Sequence, residues 1–321
     1  MRGSFMAETD FEKAGSDIRR VKANVTKAFI GKEWAVEAAV LALFSEGHVL
    51  LEDVPGVGKT LLAKAIAKSI NADIKRVQFT ADLLPSDISG TTVYNSKDNE
   101  FSFRPGPVFT NILLGDEINR ATPRTQSSLL EAMEENQVTA DGTVYKLDAP
   151  FFVIATQNPI ELEGTYPLPF SQMDRFIIRL KIGYLKKETE REMLNSQRVS
   201  SPLDFLNPVM DKNEILKIQN LVKNVKITDE LQAYIVSIVT ATRESGFCEY
   251  GASPRGSLDL MRYSQAAALL SKRDFVLPDD IKKAAPAVLG HRIIIRKGAR
   301  LSTASGNDAV KEILENVEVP I

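Results

Sequence analysis

The chain is poor in the residues that build disulfides and zinc sites: its 321 residues include one cysteine and two histidines. Cys248 alone rules out an internal disulfide and suits a reducing compartment. His48 and His291 lie far apart in sequence, which argues against a zinc site. No apolar run reaches the ~18 residues of a membrane span, and no signal peptide pattern is visible. Excess charge is missing too. Forty Lys and Arg stand against 42 Asp and Glu, for a net charge of −2 and a pI of about 5.9, so electrostatics gives no case for nucleic acid as the main partner. Neither internal repeats nor low-complexity tracts occur. A cytoplasmic protein is expected. Met1-Arg2-Gly3-Ser4-Phe5 ahead of Met6 reads as an expression leader, with the native start expected at Met6.

What the chain does have is an apolar strand, Val49-Leu50-Leu51-Glu52, running into Pro55-Gly56-Val57-Gly58-Lys59-Thr60-Leu61. A glycine-rich turn lets backbone N–H groups point at phosphate oxygens without Cβ clashes. The helix expected over Leu61 to Ile70 adds its positive N-terminal dipole. Lys59 would bridge the outer phosphates and the Thr60 hydroxyl would ligate Mg²⁺. The full G-x-x-x-x-G-K-[ST] pattern is not met, because Asp53 stands at its first glycine. Taken alone, the segment could also be a glycine-rich strand-to-helix turn with a surface lysine.

Two further apolar runs end in polar residues. Asn111-Ile-Leu-Leu-Gly115 leads to Asp116-Glu117, and Phe151 to Ala155 leads to Thr156-Gln157-Asn158. Buried parallel strands that stop there place these side chains at the C-terminal sheet edge, where open α/β folds bind ligands. Asp116 is then a candidate Mg²⁺ ligand and Glu117 a candidate general base for attack on a γ-phosphate. Asn158 would orient the attacking water; alone, it reads as a turn residue before Pro159.

These features, followed by Asp174-Arg175-Phe176, resemble AAA+ ATPases in kind and order. Gln78 to Gly90, Phe103-Arg-Pro-Gly-Pro107, Asp116-Glu-Ile-Asn-Arg120, Leu129-Leu-Glu-Ala-Met-Glu134, Ala155-Thr-Gln-Asn-Pro159 and Gly164-Thr-Tyr-Pro-Leu-Pro169 are similar to the MoxR family within that class. The likeness extends from about Ile18 to about Ile294, and members commonly lack the first glycine. One departure is Phe170-Ser171 where the family pattern has Glu-Ala, which puts in doubt any contact that acid would make across a subunit boundary.

The expected fold is α/β: a P-loop core with a parallel five-stranded sheet between helices, then a small all-helical lid. Residues 1–11 would be leader, 12–190 the ATPase core and 191–321 the lid, with the change of pattern beginning near Tyr184. An opening helix carrying Ile18, Val21, Val25 and Ala28 leads to Phe29-Ile30-Gly31. By resemblance Ile30 and Gly31 pack on the adenine; by residue pattern they read equally as a helix C-cap. Pro85 to Gly90 reads as a short helix, and a hairpin is expected between Thr92–Tyr94 and Glu100–Phe103. A second hairpin spans Gln137 to Leu147 with Asp141-Gly142 at its tip. Both hairpins could face a ring pore and touch a client, or be surface excursions. Arg292, Arg296, Lys297 and Arg300 read as a solvated edge or subunit contact.

The resemblance implies a Mg²⁺-dependent ATP hydrolase working as a ring, expected to be a hexamer, with a chaperone-like role in assembling proteins or metal cofactors. It implies a protein client and a von Willebrand factor A domain partner acting in trans. Arg255, in the first turn of a lid helix opened by Ser253-Pro254, would reach the phosphates, and a neighbour's Arg175 would complete the site as an arginine finger. An isolated arginine at a helix start is otherwise a solvated side chain. The alternatives are a magnesium-chelatase-like motor subunit, a DNA-remodelling motor, and a scaffold that binds ATP without turnover.

Overall fold

The computed structural model describes residues 8–96, 99–159, 164–196, 201–296, 298 and 305–320. Residues 1–7 of the expected leader, and Lys297 and Arg300 of the basic cluster, lie outside them. Five parallel strands form the central sheet in the spatial order Ile74–Gln78, Ile112–Asp116, Phe152–Gln157, Val49–Glu52, Ile178–Leu180. The continuous apolar runs behave as both-face-covered strands must: Ile112 to Asp116 and Phe152 to Thr156 are buried throughout. The first strand in sequence pairs on one side with Phe152–Gln157, Val49 opposite Ile154, and on the other with Ile178–Leu180. Its neighbours in space are thus strands formed much later in the chain. The strand order reverses there, and a crevice opens at the C-terminal strand ends.

The opening helix, Glu8–Ala28, buries Ile18, Val21, Val25 and Ala28 on one face, as their three- and four-residue spacing requires. It begins inside the segment set aside as leader, because the apolar stripe continues back through Ala14 to Phe11, both buried. Pro85–Ser89 is helical. Both hairpins form, Gly90–Asn95 against Glu100–Pro105 and Gln137–Ala140 against Thr143–Lys146. At the second tip Asp141 and Gly142 have φ of 49° and 76°, the left-handed pair a two-residue turn demands. Phe103 of the first hairpin stacks on Tyr145 of the second, with ring centroids 3.9 Å apart and planes 13° from parallel.

The lid contains the helices Lys212–Asn224, Asp229–Glu244, Pro254–Leu270, Pro278–Leu289 and Gly306–Asn316. It is not wholly helical, since Cys248–Tyr250 pairs with Ile294–Ile295 in a short antiparallel ladder. Two extended stretches flanking the paired helices satisfy each other's backbone groups there.

Arg292 corrects the reading of its cluster as a solvated edge: it is 1% exposed. It forms an ion pair with Asp174 at 2.7 Å and a shorter one with Asp259. It also donates to the carbonyls of Asp174, Phe176 and Val288 at 2.8, 2.9 and 3.1 Å. A guanidinium can be buried at this depth because its Nη1 and Nη2 donate to three carbonyls and the Asp259 carboxylate, and Nε lies against the Asp174 carboxylate. The lid residue Arg292 therefore ties the Asp174–Phe176 turn of the core to the lid. Arg292→Met strands two carboxylates, and Asp259 is already pushed up by burial. It is expected to cost about 3–5 kcal/mol, read as a lowered urea midpoint; an unchanged midpoint would contradict this account of the buried cluster.

Candidate active site

The phosphate loop hangs between the first strand and the helix Lys59–Ser69. Gly56 and Gly58 have φ of 85° and 91°, a region that side chains with Cβ avoid. At Gly58 a Cβ would also meet the Phe29 ring at 2.9 Å. Lys59 Nζ donates to the carbonyl of Asp53 at 2.5 Å and to that of Gln157 at 3.4 Å. Burial pushes its ammonium below the usual lysine range, an effect opposed by the charges of Asp53, Asp116 and Glu117.

Pro55, Gly56, Gly58, Lys59, Thr60, Leu61, Asp116, Glu117 and Asn158 line one cleft of about 390 Å³, as the strand ends anticipate. Asp116 is buried, accepts from Thr156 Oγ1 at 3.3 Å and pairs with Arg76 Nε at 2.6 Å. Glu117 takes left-handed backbone, φ 57° and ψ 50°, which costs about 1 kcal/mol for a residue with a side chain. Its N–H donates to Thr156 Oγ1 at 2.9 Å, and its carboxylate accepts from Gln78 Nε2 at 3.0 Å and Arg120 Nη1 at 2.9 Å. The strained turn thus aims the acid into the cleft, and three neighbours hold it there. Asn158 is buried, its carbonyl 3.5 Å from Asn119 Nδ2.

Sequence reasoning missed Arg76, Gln78, Thr156 and Arg120 as site residues. The signal was the Ile74–Gln78 strand, whose mostly exposed polar pattern is unusual for a parallel sheet.

A second cavity of about 450 Å³ joins the first at Gly56, Gly58 and Leu61. Ile30 and Val57 line it, together with Phe29, Tyr184, Leu185 and Met193. Its apolar walls suit a planar base. Gly31 is not among its lining residues; φ there is 83°, and a Cβ would strike Thr189 Cγ2 at 2.1 Å. Gly31 shapes the turn that presents Ile30.

Arg175 and Arg255 are elsewhere. Arg175 Nη2 lies 2.9 Å from Glu134 Oε2, and Arg255 Nη1 lies 3.1 Å from Glu134 Oε1. Neither arginine lines either cavity. His48 lies at the same end of the sheet as they do. It precedes the first strand, at the end opposite the phosphate loop, and its Nδ1 accepts from Val153 N while Nε2 donates to the Met133 carbonyl, both at 3.1 Å. Burial, with a further push from Arg255, lowers its pKa to about 4. Arg255 shares Glu134 with Arg175, which precedes the Ile178–Leu180 strand, so both sit near the strand starts, at the edge opposite the loop. The expectation that it reaches its own phosphates is corrected. Ser253 Oγ donates to Asp174 at 2.7 Å, docking the lid helix start on the turn that carries Arg175.

The donor set fits the groups the cleft implies. Backbone N–H groups, a helix N-terminus and Lys59 face the place of a triphosphate, and the apolar cavity continues from it. Thr60 and Asp116 offer the hard oxygens that Mg²⁺ prefers. Among the described residues no group of three or more His, Cys, Asp or Glu could hold a metal by itself.

A five-stranded parallel core with a phosphate loop at its switch point, Asp-Glu at the end of the Ile112–Asp116 strand and a helical lid define a AAA-type ATPase module. Residues 48–178 match the model for the ATPase family associated with various cellular activities, and residues 240–313 match the AAA lid domain. The chain is 49% identical over 298 residues to the uncharacterized protein YeaC of Bacillus subtilis, covering 93% of each. It is 38% identical to the chaperone MoxR1 of Mycobacterium tuberculosis, covering 94% of this chain and 82% of that one. A crystal structure of a candidate ATPase from Cytophaga hutchinsonii superposes with a TM-score of 0.89 at 39% identity, over 98% of both chains. The chain belongs to the MoxR family of AAA+ ATPases.

Proposed function

We propose that this protein hydrolyses ATP with Mg²⁺ at sites completed between subunits of a ring, taken as a hexamer, and uses the cycle to help assemble or mature protein clients. The observation that carries the reading is a division of labour. Lys59, Thr60, Asp116, Glu117 and Asn158 share one cleft, while Arg175 and Arg255 stand together near the opposite sheet edge. Two cations on the edge away from their own phosphate loop support a role at another subunit's. Bound Mg²⁺ would supply charge neutralisation at the phosphates. Within the chain, Lys59 holds the outer phosphates, Glu117 takes a proton from water, and Asn158 orients that water. The chaperone name of a relative supports a protein client, and a von Willebrand factor A domain protein is the proposed partner in trans. With no helix among the described residues long and apolar enough to cross a membrane, a cytoplasmic setting is proposed.

The test is ATP affinity in Lys59→Ala. A charged hydrogen bond is worth about 1.5–3 kcal/mol, so binding should weaken about 10- to 150-fold. Calorimetric titration reads this directly, and wild-type affinity in the variant would end the assignment of the cleft.

A further inference from the structure

Asp53 occupies the position where the general phosphate-loop pattern has glycine, and it is 7% exposed. A carboxylate there is a poor choice for holding phosphates, since its charge opposes theirs. Its contacts supply another reason for its presence. Oδ1 accepts from Val54 N at 2.9 Å, and Oδ2 accepts from Gly183 N at 2.6 Å. The Asp53 backbone meanwhile donates to Gln157 O at 3.2 Å and accepts from Lys59 Nζ. One residue therefore joins the phosphate loop, its lysine, the end of the strand before Asn158, and the segment that leaves the sheet after Leu180.

That last segment is the wall of the apolar cavity. Gly183, Tyr184 and Leu185 line it together with Gly56 and Gly58 of the loop. Gly183 has φ of 68°, and nothing lies within 4 Å of where its Cβ would be. The glycine is thus present for its backbone conformation, which turns its N–H toward Asp53.

We propose that Asp53 is a positioning residue for the base: its carboxylate clamps Gly183 to the phosphate loop, setting the wall that receives the base at a fixed distance from the site that receives the phosphates. The ligand class is a nucleotide carrying a planar base, as opposed to any polyphosphate. The inference rests on the nucleotide reading above and deepens it.

The experiment compares two probes on the full chain, a non-hydrolysable ATP analogue and inorganic tripolyphosphate, each with Mg²⁺. Asp53→Gly installs the residue of the general pattern, and Asp53→Asn keeps the shape but weakens the acceptor of the Gly183 N–H. Expected for Asp53→Gly is a loss of analogue affinity of about tenfold or more, with tripolyphosphate bound as well as or better than by wild type. Asp53→Asn should fall between, and it carries the test if the glycine variant melts early. Equal shifts for both probes would mean that Asp53 acts on the phosphates and would overturn the proposal, as would no shift in either. Should wild type bind neither probe, the nucleotide reading itself falls and this inference with it; wild-type binding with an unaffected Asp53→Gly overturns the inference alone.

Discussion

Glu117→Gln is expected to keep ATP bound and to lose turnover by about 10²- to 10⁴-fold, the range a positioned general base contributes. The side chain keeps its length, so its contacts with Gln78 and Arg120 can be kept through the remaining carbonyl oxygen. Proton acceptance is what disappears. The strained backbone at Glu117 and its anchor on Thr156 belong to the turn and do not depend on the carboxylate. Measuring phosphate release beside binding of a fluorescent ATP analogue separates the two effects. Wild-type turnover would mean that the base is another residue. Weakened binding with turnover reduced in parallel would instead make Glu117 a ligand-holding group.

Arg175→Ala should abolish most turnover while leaving nucleotide affinity of the isolated subunit within about twofold. Arginine fingers in related NTPases are worth about 10³–10⁵ in rate. The subunit's own cleft contains no contact to Arg175, whose charged partner here is Glu134 at 2.9 Å. Mixing distinguishes help in trans from a local structural role. Rings built from Arg175→Ala and Lys59→Ala subunits, each inactive alone, should regain part of the activity, because some interfaces pair an intact loop with an intact finger. No recovery in verified mixed rings, or full activity of Arg175→Ala on its own, would rule out the sharing of sites. If Arg175 were only a surface ion pair, its loss would cost about 0–1 kcal/mol of stability and nothing in rate.

What could be read from the sequence divides along a physical line. The phosphate loop, the Asp-Glu strand end and the Asp141-Gly142 hairpin are contiguous, and their chemistry is set by local backbone geometry. Each is legible in the order of residues alone. The partners of those groups are not, because they come from other elements. Gln78 and Thr156 meet Glu117 only through strand register, and Glu134 meets two arginines only through packing. Arg292 shows the sharpest failure. By composition it belongs to a basic surface run, yet two acids from different domains bury it. Arg255 stands at a lid helix start as its Ser253-Pro254 context implies, but the docking of that helix against Asp174 pairs it with Glu134. The departure at Phe170 leaves a short helix, Phe170–Met173, in place, and nothing in the structure explains the choice of phenylalanine.

The stacked rings of Phe103 and Tyr145 have a mechanical meaning. An aromatic pair of this kind is worth about 0.5–1.5 kcal/mol beyond the area it buries, roughly one to three times thermal energy. The stack joins the two hairpins, which carry the exposed Phe101 and Val144, across two separate roots in the core. One root is the helix Pro85–Ser89; the other leads into the strand that ends beside Asn158. A contact of that strength couples the two hairpins without locking them into one rigid unit.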